Sequence, residues 1–277
     1  MMATVSDIID VMNTLAPRLL AEKWDNVGLQ IGDPQQNVKN IWIALDPTLP
    51  VLDAACRENV DLLITHHPLI FRPLKSIDFQ TPLGSLLNMA VRHQLAVFSA
   101  HTNLDIVAGG INDLLSERIG LTHLKPLRKT SDPCEIQSPE TDGRAQGLGR
   151  IGNLESPLEL VAFAKMIKQK LGLKTIRFAG NSSLTVTEAA VCSGSGSDLL
   201  PDFFASSAEV YVSGDLKYHD ARDVEAANLG LIDIGHFSSE KLIIHALSER
   251  LKVILPAKGF EVNVEACDLE KDPFLVL

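Results

Sequence analysis

Three short stretches of this 277-residue chain combine imidazoles with carboxylates: ITHHPLIF, AHTNLD and DIGHFSSE. They supply His66 and His67, then His101 and Asp105, then His236 and Glu240. Imidazole nitrogen and carboxylate oxygen suit zinc, iron, manganese, cobalt or nickel, and no thiolate lies among them. Four imidazoles and two carboxylates are too many for one cation that keeps a position open. Two cations can share them, with Asp105 and Glu240 bridging. Such pairs sit about 3.5–4 Å apart and activate water as a nucleophile. Each stretch also has an ordinary reading. One of His66 and His67 could be packed and the other solvated, His101 could bond to backbone, and Asp105 could cap a turn. Glu240 would be favoured by a helix dipole without any metal.

Adjacent histidines in a regular strand point to opposite faces, so His66 and His67 can share a site only if the backbone turns after Thr65. Pro68 favours that stop, because it donates no ladder hydrogen bond and restricts the residue before it to extended geometry.

The elements that must position these residues alternate between short apolar strands and helical patterns, the arrangement of α/β layers. Ser6 can cap a first helix carrying Ile8, Ile9, Met12 and Leu15. Strands are expected at Ile41–Leu45, Asp61–Thr65 and Leu95–Ala100, a helix opening at Thr81-Pro82, and another between Gly109-Gly110 and Gly120. Lys129 to Gly149 is polar and turn-rich and reads as a loop or linker. Ser156-Pro157-Leu158-Glu159 matches a capping box for a helix to about Leu171. Strands follow near Thr175–Ala179, Val186–Cys192, Glu209–Val212 and Leu231–Ile234, and Ser238 caps a last helix to about Leu251. All three donor stretches lie just past strands, where α/β sheets place their ligand sites.

Other motifs are weaker. SGDLKYHD places Asp215, Lys217 and His219 after a strand, as support for a ligating histidine, contact with substrate, or a solvated turn. SGSGS, Ser193 to Ser197, could offer N–H groups to a phosphate but lacks a Walker lysine, and a tight strand-to-helix turn explains it adequately. Glu22 and Asp25 could approach the site. His93, His123 and His245 read as ordinary surface or packing residues.

The bulk composition sets outer bounds. The formal charge of −10 argues against nucleic acid as a main partner. No apolar run approaches the roughly 18 residues of a membrane span, and the N-terminus lacks the pattern of a signal peptide. Four scattered cysteines without a C-x-x-C argue against a zinc knuckle or disulfide framework, and cytoplasmic residence is the expectation.

THHPLIF, HTNLD, GSGSD, SGDLKYHD and DIGHFSSE, in this order, resemble the motifs of the Nif-three-like dinuclear metal-centre family, the GTP cyclohydrolase I type 2 homologues. WDNVGLQIGD and GRIGNL fit the same pattern. The resemblance implies two α/β domains of Nif-three-like fold, without the extra inserted domain of longer relatives. It also implies two divalent metal ions per chain, with zinc, iron or manganese as candidates, held by His66, His67, His101, Asp105, His236 and Glu240. A homohexamer is implied as well. We expect residues 1–127 with 232–277 as the first domain and 128–231 as the second, the last helix joining the first because His236 and Glu240 must reach His66 and Asp105. The function expected is metal-dependent hydrolysis of a small molecule, with metal-activated water as nucleophile and the substrate open. The alternative is non-catalytic metal storage or delivery, or an interaction scaffold.

Overall fold

A computed structural model describes residues 1–130 and 145–275. The chain divides into two compact α/β units, 1–104 with 243–271, and 105–130 with 145–242 and 272–275. It passes from one to the other inside the short helix Thr102–Ile106 and again at Leu242. The division falls there because the helix Ile111–Ile119 and the strand Leu121–Lys129 build the second sheet's layer.

The first unit holds a five-stranded sheet in the order Asn263–Ala266, Asn40–Ala44, Leu62–Thr65, Ala96–Ser99, Gly28–Ile31. The first four strands run parallel and the last antiparallel. Alternate residues face opposite layers. Leu63 and Val97 pack with Val51, Leu52, Ala55, Leu87 and Ala90 of two helices. Their neighbours Leu62, Ile64, Ala96 and Phe98, pointing the other way, are equally buried. Burial on both faces explains the unbroken apolar runs of these strands.

The second unit holds a six-stranded mixed sheet. Its order is Leu121–Lys129, Gly147–Glu159, Thr185–Ser195, Val210–Gly214, Gly230–Asp233, Arg177–Ala179. The three central strands from Thr185 onward are parallel. Ala189, Val191, Val210, Val212 and Ile232 face Phe163 and Ile167 of the helix Leu160–Lys170. Ala190, Cys192, Tyr211 and Leu231 face Phe203 and Val224.

Several local expectations are corrected. Thr4, not Ser6, caps the first helix, Val5–Leu15, in a reciprocal box with Asp7. The Ser156–Glu159 stretch is strand, paired through Leu158 with Val186, and its helix begins at Leu160. Pro157 is tolerated there because Leu121–Lys129 pairs no further than Leu154, which leaves that side of the strand unladdered. Ser238 lies inside a short helix, His236–Glu240, and the following helix runs from Leu242 to Ala257. The expected linker, Lys129 to Gly149, falls largely outside the described residues, and its ends belong to strands. Among the described residues no helix is long and apolar enough to cross a membrane.

Candidate metal centre

In the first unit the parallel strands end at Ala44, Thr65 and Ser99, and the chemistry gathers at those ends. The chain turns after Thr65. His66 N–H donates to Ala44 O and His67 N–H to Leu45 O, successive donors to successive carbonyls, unlike the alternation of a flat strand. Thr65 Oγ1 closes the turn on His67 O at 2.7 Å, and Ser99 Oγ donates to His66 O at 2.9 Å. Both imidazoles then reach one place. The ring centroids of His66, His67 and His101 lie 5.0 to 5.4 Å apart. One ring nitrogen from each falls within 4.8 Å of the others, close enough to hold one cation.

Every one of these rings has Nδ1 against an oxygen. His66 Nδ1 meets Ala100 O at 2.9 Å, His67 Nδ1 meets Asp46 Oδ1 at 2.7 Å, and His101 Nδ1 meets Asp25 Oδ1 at 2.9 Å. An acceptor there fixes the Nδ1–H tautomer and puts the lone pair on Nε2, the arrangement of metal-ligating histidines. Asp25, whose side chain is buried, also accepts from the N–H and hydroxyl of Thr102. Burial pushes its carboxyl up, but the hydrogen bonds from His101 and Thr102 and the His101 charge outweigh this and bring it down to about 2. Asp46 is held in turn: Glu270 accepts from its backbone N–H at 2.6 Å and from that of Leu45 at 2.7 Å. The Glu270 carboxyl is pushed up, chiefly by burial, against the lowering effect of those two N–H groups.

The second unit repeats the logic at the ends of its own parallel strands. His236 opens the short helix after Gly230–Asp233, and its Nδ1 meets Asp215 Oδ2 at 2.7 Å, one residue past Val210–Gly214. Its Nε2 lies 3.0 Å from Glu240 Oε2, one helical turn on. With the proton on Nδ1, that pair brings two lone-pair atoms together, which a shared cation relieves. Glu240 is buried, and its ligand oxygen and that of Asp105 lie within 4.8 Å of each other. Gly194 makes room for this carboxylate. It sits at φ +65°, and a Cβ there would lie 2.3 Å from Glu240 Oε1. Its N–H donates to Ser239 Oγ at 2.8 Å, and that hydroxyl donates to His236 O at 2.6 Å. Buried Asn112 ties the rest together, donating to Asp105 O at 3.0 Å and accepting from Ser193 N–H at 2.8 Å.

Of the expected residues, the first unit gathers His66, His67 and His101, and the second gathers Asp105, His236 and Glu240. Asp215 supports His236. Lys217 and His219 do not join the cluster: Lys217 is exposed at the N-cap of the helix Tyr218–Ala226, and His219 is exposed against Tyr218. Sequence reasoning missed Asp46, Glu270, Asn112 and Ser239, and it read Ser193 and Gly194 only as part of a phosphate-binding loop or a tight turn.

A sequence profile described as Duf34/NIF3 (NGG1p interacting factor 3) matches residues 3–273. The chain is 35% identical over 271 residues, 98% of both chains, to a Clostridium perfringens protein named GTP cyclohydrolase 1 type 2 homolog. A Bacillus subtilis protein of the same name aligns at 28% identity over 98% of both chains, but across 365 positions, so that relative carries a segment this chain lacks. The crystal structure of a Bacillus cereus protein related to NIF3 superposes with a TM-score of 0.91 at 27% identity, covering 100% of this chain and 99% of that one. With its motifs in order and nearly its whole length matched, the chain belongs to the DUF34/NIF3 family.

Proposed function

We propose that this protein is a metal-dependent hydrolase that uses two divalent cations held by His66, His67, His101, Asp105, His236 and Glu240. The observation that carries the reading is the common state of the four imidazoles. Each has Nδ1 engaged by an oxygen, so each presents Nε2 as donor. Zinc, iron and manganese suit this donor set. Bound cations would supply Lewis acidity and a water acidified toward neutrality. The protein's own part is to fix the donors: Asp25, Asp46 and Asp215 orient rings, Gly194 leaves room for the Glu240 carboxylate, and Asn112 holds the backbone of Asp105. The relatives' name points to opening of a guanine-nucleotide ring as the first activity to test.

Storage or delivery of metal is less well supported, because His66 and Glu240 are only 2% and 3% exposed. Exchangeable cargo calls for accessible, labile ligands. Assembly as a homohexamer in the cytoplasm is part of the proposal and rests on the family resemblance.

The test is turnover of GTP and a panel of phosphoesters and cyclic amides by chelator-stripped and metal-restored protein. Metal-dependent turnover, lost in His67→Ala and Asp105→Ala, supports the reading. Two bound metals that pass to an apo acceptor, without turnover of any substrate, would replace it with the delivery reading.

A further inference from the structure

The surface beside the first-unit imidazoles is aromatic. Trp24 is 59% exposed and Phe71 47% exposed, with ring centroids 5.9 Å apart and planes inclined at 62°. Trp24 also meets His101 edge to face, with centroids 6.0 Å apart. Phe71 opens a run, 71–80, in which every residue is exposed although it includes Leu74, Ile77 and Phe79. Leaving such surface in water forgoes about 25 cal/mol for each Å² that could be buried.

Neither aromatic ring hangs on a slack segment. Asp25, next to Trp24, is fastened to His101 and Thr102 by three hydrogen bonds. Asn26 Nδ2 donates to Ile70 O at 2.5 Å, one residue before Phe71. The same contacts that orient His101 therefore hold the stretch of backbone that carries the indole.

We infer that Trp24 and Phe71 form an aromatic wall that stacks the planar ring of a heteroaromatic substrate while its reacting atom reaches the donors at His101. The inference rests on the hydrolase reading and deepens it by naming the residues that read the ring of its substrate. A planar ring carried by a nucleotide fits for two reasons. Stacked aromatic pairs gain more than the burial of their area, and the spacing between Trp24 and His101 is within the span of one fused heterocycle. Arg72 and Lys75, in the same exposed run, offer positive charge to an anionic substituent.

Trp24 and Trp42 are the two tryptophans, so Trp42→Phe leaves Trp24 as sole fluorescent reporter. Metal-loaded Trp42→Phe protein is titrated with guanosine, adenosine, uridine, their triphosphates and ribose 5-phosphate. The expected result is saturable quenching by at least one nucleoside or its triphosphate and none by ribose 5-phosphate. Trp24→Ala then weakens calorimetric binding of that ligand by about 5- to 100-fold, with most of the affinity restored in Trp24→Phe and metal content unchanged. If Trp42→Phe does not fold, the emission difference between wild type and Trp24→Phe gives the same reading. Absence of quenching by every ring ligand overturns the inference, as does undiminished binding in Trp24→Ala. So does a Trp24→Ala protein that dissociates to smaller assemblies with binding intact, which would assign the wall to a second copy of the chain. Loss of metal with stacking intact fails the hydrolase reading alone; full metal without stacking fails this inference alone.

Discussion

Alanine at position 194 displaces a single carboxylate oxygen. The Cβ it adds would stand 2.3 Å from Glu240 Oε1 and 3.4 Å from His236 Nε2. Ordinary packing separation requires the oxygen to retreat by about 1 Å, whereas metal–ligand distances tolerate only about 0.2 Å. The substitution also carries a backbone cost of roughly 1–2 kcal/mol, because φ is +65°. Gly172→Ala isolates that cost: it lies in the same unit at φ +66°, and nothing lies within 4 Å of its Cβ. Gly172→Ala should lose about 1–2 kcal/mol in urea unfolding of the chelator-stripped protein, and Gly194→Ala at least as much. Only Gly194→Ala should lose metal affinity, by about tenfold or more, in competition with a chromophoric zinc chelator. Equal zinc affinity in the two variants would refute the claim that Gly194 seats a metal ligand.

Three further outcomes are expected. Asp46→Ala removes the 2.7 Å acceptor from His67 Nδ1 and should weaken metal binding about 10- to 100-fold; unchanged affinity in the same competition assay would dismiss its orienting role. Arg150→Met leaves Asp113, 3% exposed, without its ion-pair partner and should cost about 3–5 kcal/mol in urea unfolding, with partial recovery when Asp113→Leu is added. The Asp25 carboxyl lies below its ordinary 3.8, so its stabilisation is full above that pH and fades as pH falls toward about 2. The stability gap between wild type and Asp25→Asn in metal-free protein should close as pH falls from about 4 toward about 2; a gap unchanged down to pH 2 would contradict it.

How much of this was legible in the sequence depended on whether the signal was local. Apolar runs ending in histidine or aspartate announced strand ends, because a doubly covered strand stays apolar until it leaves the sheet, as Leu62–Thr65 does. Thr81-Pro82 and Gly120 marked helix ends through their own capping chemistry. Long-range supports left no such trace. Asp46 looks like any residue after a strand, and Glu270 reaches it across 224 positions. Gly194 shows its purpose only once Glu240 lies against it. The strand Leu121–Lys129 was missed because it is an edge strand with few buried side chains, and Pro126 discourages a strand reading although an edge tolerates it. Ser156–Glu159 has the letters of a cap, but its pairing with Thr185–Ser195 overrides them.

The proposed function requires two divalent ions per chain, gripped by histidine Nε2 atoms and by the carboxylates of Asp105 and Glu240. An anomalous-difference map from crystals grown with zinc, recorded on both sides of its absorption edge, reads this directly. Two peaks per chain are predicted, each within bonding distance of Nε2 on at least one of His66, His67, His101 and His236. A map with no peak at these side chains, or with zinc on Nδ1 instead, would contradict it.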